Sequence, residues 1–258
     1  MVLPVGDRSP TRRAPVVTVV LIAVNVGVFL LFSLQLSGCE LSRFVFQWAA
    51  IPRELLSLSP LDPAALPPRL AECVAPALAD KSVLTSIVSS MFLHGSLFHL
   101  LFNMLFLWVF GNNVEDRLGH GTYLVYYLAG GIVAAYAFAI LNPSQLTPLL
   151  GASGAIAAVL GGYLVMFPRA QVHTYVPFPL YLLAVIIPGA RITGWFLIFA
   201  IVTLPAWLVL GFWFVSQVTS ANEAAAAGIA FEAHIAGFVA GLVFTLLLGG
   251  TQPRRRTA

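Results

Sequence analysis

Leu149-Leu150-Gly151-Ala152-Ser153-Gly154-Ala155-Ile156 opens an apolar run that ends near Met166-Phe167. The run is about 17 residues, which at about 1.5 Å each comes close to crossing a hydrocarbon core. A serine flanked by glycines at the mouth of such a helix has two readings. One is packing, since Gly, Ala and Ser are the usual residues where membrane helices touch. The other is a nucleophile, its hydroxyl left uncrowded by neighbours with almost no side chain.

Composition puts that run in a membrane protein. The sequence is 59% hydrophobic and 9% charged, against about 25% charged in soluble domains. Mean hydropathy is +0.92. The expectation is an all-α polytopic membrane protein, one helical bundle without a separate soluble domain. The net charge of +3 comes largely from the two tails, so it bears on membrane orientation and not on nucleic acid. The start is not read as a cleavable signal peptide, because the apolar run behind its arginines is long enough to span.

Residues 1–15 form a basic tail with Arg8, Arg12 and Arg13, and residues 16–249 are read as the membrane domain. Val16 to Leu36 is the first span, and its Asn25 is read as an interhelical hydrogen-bonding residue. Residues 37–81 form a long loop with nine charged residues and both cysteines. Phe44-Val45-Phe46-Gln47-Trp48 reads as part of an amphipathic piece at the interface.

Met91 to Phe110 is the second span, with His94, His99 and Asn103 near its start. His99 and Asn103 are four apart and share a helix face. Ionisable groups inside a span are functional candidates by default. No metal site is expected, since His94 and His99 lie on different faces and the span holds no carboxylate or cysteine. No cofactor is expected either.

Gly111 to Gly121 reads as a polar loop, Thr122 to Leu141 as the third span and Gly151 to Phe167 as the fourth. The segment 170–188 is apolar but interrupted by Pro177, Pro179 and Pro188, so it is read as interfacial or re-entrant. Ile192 to Val218 is the fifth span, kinked by Pro205. The sixth begins Ala233-His234, and its Gly237 and Gly241 form a small-residue stripe below the histidine. Residues 250–258 are a second basic tail.

Six spans put both tails on one side, cytoplasmic by the positive-inside rule. Nine of the basic residues then fall inside and only the four of the first loop outside. Spans two, four and six all begin on the outer side. His99, Asn103, Ser153 and His234 thus reach a similar depth just below the outer surface. A serine hydroxyl needs a base, and a histidine suits. The oxyanion that forms needs fixed donors; His99, Asn103 and the Ser153 backbone N–H can supply them. Glu232 lies two residues before His234 and faces away on a regular helix, so the arrangement is a dyad.

These residues resemble the rhomboid family of intramembrane serine proteases. The resemblance rests on His94-x-x-x-x-His99-x-x-x-Asn103, on Gly111-Asn112-Asn113-Val114-Glu115-Asp116-Arg117-Leu118-Gly119, on Gly151-Ala152-Ser153-Gly154, and on Ala233-His234-x-x-Gly237-x-x-x-Gly241, in that order. It implies a six-helix bundle with an outward cavity, Ser153 as nucleophile and His234 as base. It implies an oxyanion site from His99, Asn103 and Ser153. It also implies substrates that are transmembrane segments of other proteins, entering sideways near the fifth span of a multi-pass protein of the cell membrane. His94, Gly151, Gly154, Gly237 and Gly241 are read as structural residues near the site. Ala157 stands where the family often carries an aromatic ring stacked on the histidine.

Other readings stay open: an inactive rhomboid-like protein that binds membrane helices, or a small-solute transporter, although no inverted repeat favours the latter. Cys39 and Cys73 fall in a loop assigned to the oxidising side. They are either disulfide-bonded or two thiols buried in the loop's own fold. The sequence does not set the oligomeric state.

Overall fold

The structure is a computed structural model and describes residues 3–177, 182, 186, 190–195, 199–221 and 230–249. In chain order its elements are β1 (Leu3–Asp7), α1 (Val16–Ser33), α2 (Gly38–Trp48), α3 (Pro52–Ser57), α4 (Pro68–Ala79), α5 (Val83–Ser89), α6 (Leu97–Leu118), α7 (His120–Leu141), α8 (Ser153–Met166), β2 (Gln171–Pro177), β3 (Arg191–Trp195), β4 (Phe199–Pro205), α9 (Ala206–Ala221) and α10 (Phe231–Leu247). Short 3₁₀ turns follow α3 and α5.

Among the described helices, α1, α6 and α7 are long and apolar enough to cross a membrane, while α8, α9 and α10 are shorter apolar helices. The outer faces fit lipid: Val19, Val20, Val24 and Leu31 of α1 are exposed. By contrast α8 is enclosed, and every residue from Ala155 to Tyr163 is buried. Small residues allow this. A Cβ on Gly237 would fall on the Gly154 carbonyl, one on Gly241 on the Ala158 carbonyl, and one on Gly161 on the Phe238 carbonyl. So α8 and α10 touch backbone to backbone. Asn25 donates to Leu21 O within its own helix at 2.7 Å, with the Tyr127 hydroxyl of α7 beside it.

Five expectations need correction. The chain is mostly helical but not all-α. A four-stranded antiparallel sheet of order β1-β2-β4-β3 joins the N-terminal tail to the segment after α8. In β2, Val172, Thr174 and Val176 are buried while Gln171, His173 and Tyr175 are half-buried, the alternation of a strand with one covered face. The β-branched run Ile201-Val202-Thr203 of β4 pairs with it. Within 170–188 the stretch Gln171–Pro177 is therefore strand, and most of 178–189 lies outside the described residues.

The fifth helix starts at Ala206 rather than Ile192. Pro205 is the last residue of β4, and the first α9 N–H groups find partners before them in sequence: Ala206 N–H donates to Ala170 O and Trp207 N–H to Pro168 O. The second long helix starts at Leu97 rather than Met91, because the chain is extended at Leu93 and at Ser96, whose hydroxyl caps the His99 N–H. The expected polar loop after it is helical to Leu118, passing through a π-helical turn at Leu107–Gly111. This helix carries Glu115 inward, where its carboxylate accepts from the N–H groups of Val17 and Thr18 at 2.8 Å each. Glu115 thereby satisfies the orphan donors that open α1.

The first loop is a folded unit. Phe46, Ile51, Leu61, Leu66, Val74 and Leu78 form its core, and a disulfide joins Cys39 of α2 to Cys73 of α4, with Cα atoms 5.7 Å apart. Lys81 and Glu54 pair at 2.5 Å with no side-chain exposure. Burial pulls the Lys81 ammonium below its usual range, and Glu54 opposes that. At the other end of the bundle, Asp7 of β1 accepts from Tyr163 Oη of α8 at 2.7 Å and from Asn113 Nδ2 of α6 at 2.8 Å. Burial pushes its carboxyl up; these hydrogen bonds act the other way.

Candidate active site

Ser153 is the first residue of α8. The approach to it is fixed at two points: Leu149 N–H donates to Ala50 O at 2.7 Å and Gly151 N–H to Ser90 O at 3.0 Å. Gly151 has φ +118°, a conformation that favours glycine. Its missing side chain matters as well, since a Cβ there would lie 2.8 Å from His99 Nε2. The turn into the serine therefore needs glycine twice, for its backbone and for its size.

His234 sits in the first turn of α10, and its Nε2 lies 2.8 Å from Ser153 Oγ. Gly237 one turn on, against the Gly154 carbonyl, lets the two helix starts come this close. Around Gly151 the ring of His99 and the amide of Asn103 approach from α6; a Cβ on Gly151 would be 3.7 Å from Asn103 Nδ2. That amide is buried and lies 3.1 Å from His94 Nε2. His94 precedes the helix, stands edge-on to His99 with ring centres 5.0 Å apart, and fixes Asn103 from behind.

Two residues not singled out in the sequence surround the histidine. Gln217 of α9 places Oε1 2.8 Å from His234 Nδ1. Trp213, one turn earlier, has its ring centre 6.3 Å from the imidazole. Ala157 packs beneath Gly237, and the aromatic flank of His234 comes from Trp213 and from Phe231, 6.1 Å away. The available signal was a glutamine inside an apolar helix, a functional candidate by the same rule applied to the histidines. A small cavity of about 180 Å³ opens beside His94 and Leu150, walled by Leu41, Phe44 and Val45 of the first loop.

A hydroxyl and an imidazole in hydrogen-bond contact, with further N–H groups close by, is an arrangement suited to acyl transfer. Comparison with known proteins points to one family. The family model described as Rhomboid domain matches residues 81–251. The chain is similar to presenilin-associated rhomboid-like protein A, mitochondrial, of Danio rerio: 34% identical over 95 residues, covering 36% of this chain and 25% of that protein. It is 35% identical over 95 residues to rhomboid protein 1, mitochondrial, of Saccharomyces cerevisiae, covering 35% and 28%. It is 41% identical over 78 residues to rhomboid protease GluP of Bacillus subtilis, covering 30% and 15%. The matched part thus spans about a quarter or less of each of these relatives' length.

Proposed function

This chain belongs to the rhomboid family, and on that premise we propose that it is an intramembrane serine endopeptidase that cleaves transmembrane segments of other membrane proteins. The observation that carries the proposal is the 2.8 Å approach of Ser153 Oγ to His234 Nε2. His234 takes the hydroxyl proton as Ser153 attacks the scissile carbonyl. The resulting oxyanion is held by the Ser153 backbone N–H at the head of α8, with the His99 and Asn103 side chains as further donors. The imidazolium then returns its proton to the leaving amine. Water, activated by the same histidine, frees the acyl-enzyme.

Six crossings are part of the proposal: α1, α6, α7, α8, α9 and α10 within residues 16–249. The pairing of β1 with β2 supports it. Paired strands share one side of the membrane, so the crossings between Asp7 and Gln171 are even in number. The three long helices α1, α6 and α7 therefore need a fourth, and of the two shorter apolar helices in that stretch, Val83–Phe92 and α8, the longer is α8. At 14 residues it is about 21 Å long, but an enclosed helix need not match the hydrocarbon thickness. Both tails, residues 1–15 and 250–258, are then cytoplasmic by the distribution of arginines. The first loop lies on the oxidising side, in keeping with its disulfide. We place the protein in the cell membrane, although two of the relatives are named mitochondrial.

Labelling with a fluorophosphonate probe tests the assignment. Wild type takes the label, while Ser153→Ala and His234→Ala do not and also fail to cut a model transmembrane substrate. A folded wild-type protein that neither labels nor cuts would mark a rhomboid-like helix-binding protein instead.

A further inference from the structure

The base of the proposed dyad has a second partner whose own hydrogen bonds are directional. Gln217 is buried. Its Nε2 lies 3.0 Å from Ser216 Oγ and 3.4 Å from Trp213 O. The Ser216 hydroxyl proton is already committed to Trp213 O at 2.6 Å, so toward the amide both atoms act as acceptors. Only the NH₂ end of Gln217 suits them, because the reversed amide would set its oxygen against a carbonyl. Oε1 is therefore the end that faces His234 Nδ1 at 2.8 Å. An amide oxygen accepts only, so Nδ1 must carry the proton. In a neutral imidazole this leaves Nε2 bare, and Nε2 is the atom beside Ser153 Oγ.

We propose that Gln217 is a positioning residue that holds His234 in the Nδ1–H tautomer and aims its Nε2 lone pair at Ser153. The inference rests on the protease reading. It assigns the neutral glutamine the orienting task that a carboxylate performs in a triad. One chain of hydrogen bonds then runs from Ser153 through His234, Gln217 and Ser216 to the carbonyl of Trp213. It spans α8, α10 and α9, so the base is ready only while α9 stays packed on α10. Trp213 and Gln217 are four apart and present one face of α9, ring and amide together, to the imidazole.

Two readouts test it. In protein labelled with ¹⁵N-histidine, with the His234 signals identified by their loss in His234→Ala, the neutral wild-type ring should carry its proton on Nδ1. A proton on Nε2 overturns the inference, whether or not the protein proves to be a protease. In kinetics, Gln217→Leu should lower kcat by about 10–10²-fold with KM little changed. That is less than the about 10⁴-fold seen when the orienting group forces the wrong tautomer. Gln217→Glu should retain more activity than Gln217→Leu and move the acidic limb of the rate profile upward by about 1–3 pH units, because a carboxylate favours the imidazolium.

The other titratable groups to watch are His99, which interacts electrostatically with His234, and Glu232 on the same helix. Neither changes between these variants, so the limb's movement reports position 217. An unmoved limb in an active, folded Gln217→Glu would reduce Gln217 to packing. Should Gln217→Leu not fold, the wild-type spectrum and the Gln217→Glu profile still decide.

Discussion

Gly237→Ala adds one carbon where none fits. The new Cβ would sit inside van der Waals contact of the Gly154 carbonyl oxygen, 3.1 Å from its carbon and 3.2 Å from Ala157 Cβ. The oxygen belongs to backbone in the first turn of α8, so relief comes from moving α10 off α8 by on the order of 1 Å toward an ordinary contact distance. His234 is one turn away on the same rigid helix, and its 2.8 Å contact with Ser153 would open by a similar amount, past hydrogen-bond range. A misplacement of about 1 Å can cost about 10²-fold in rate; overpacking by a methyl costs about 1–3 kcal/mol. Cleavage of a model transmembrane substrate per folded molecule, with thermal unfolding followed on the same sample, measures both. Gly211→Ala on α9 is the control, since a Cβ there meets nothing within 4 Å. A folded Gly237→Ala protein cutting at the wild-type rate would refute the claim that this close approach sets the dyad distance.

Asn103→Ala should cost about 2.7–4 kcal/mol of transition-state stabilisation, roughly 10²–10³ in kcat, with KM little changed. A destabilised but fully active variant would remove Asn103 from the mechanism. Replacing Cys39 and Cys73 together by serine should lower stability by about 3–4 kcal/mol, as expected for a loop closed over a separation of 34 residues; unchanged unfolding of the double variant would argue against the bridge. Burial raises the Asp7 carboxyl. Its contribution therefore favours the fold below the ordinary carboxylate range and is lost as pH rises through the folded value. Asp7→Asn should accordingly gain stability relative to wild type at neutral pH and lose that gain on acidification. A gain independent of pH would mean that Asp7 is not the group titrating.

The helices that face lipid were legible because long charge-free runs have one meaning in a sequence of this composition. The site was approached through depth: His99, Asn103, Ser153 and His234 are expected at the outer starts of even-numbered spans, and the structure sets two of them 2.8 Å apart. Gln217 escaped because the search ran along helix starts, whereas α9 reaches the site with its last turn. The sheet escaped for a different reason. Val172, Thr174 and Val176 alternate as a strand should, but Pro177 to Pro188 drew the reading toward broken helix, and the partner of β2 lies at residues 3–7. Nothing local announces a partner that far away. The inward turn of Glu115 was hidden similarly, since a cluster of charges reads as loop until the donors of α1 are brought to it.

The sheet also sets an order of events during synthesis. β1 is made first, and β2 follows more than 160 residues later. At about 5–20 residues per second that is an interval of roughly 10–30 s, during which, on the proposed topology, four helices enter the membrane and β1 has neither β2 nor Tyr163 to hold it. With the tail on the proposed cytoplasmic side, the nascent chain for that interval carries an unpaired strand next to the translating ribosome, open to chaperones and to proteases. Closure of β1 on β2 is then a checkpoint of assembly: it can occur only when the helices between have brought both strands to one side of the membrane.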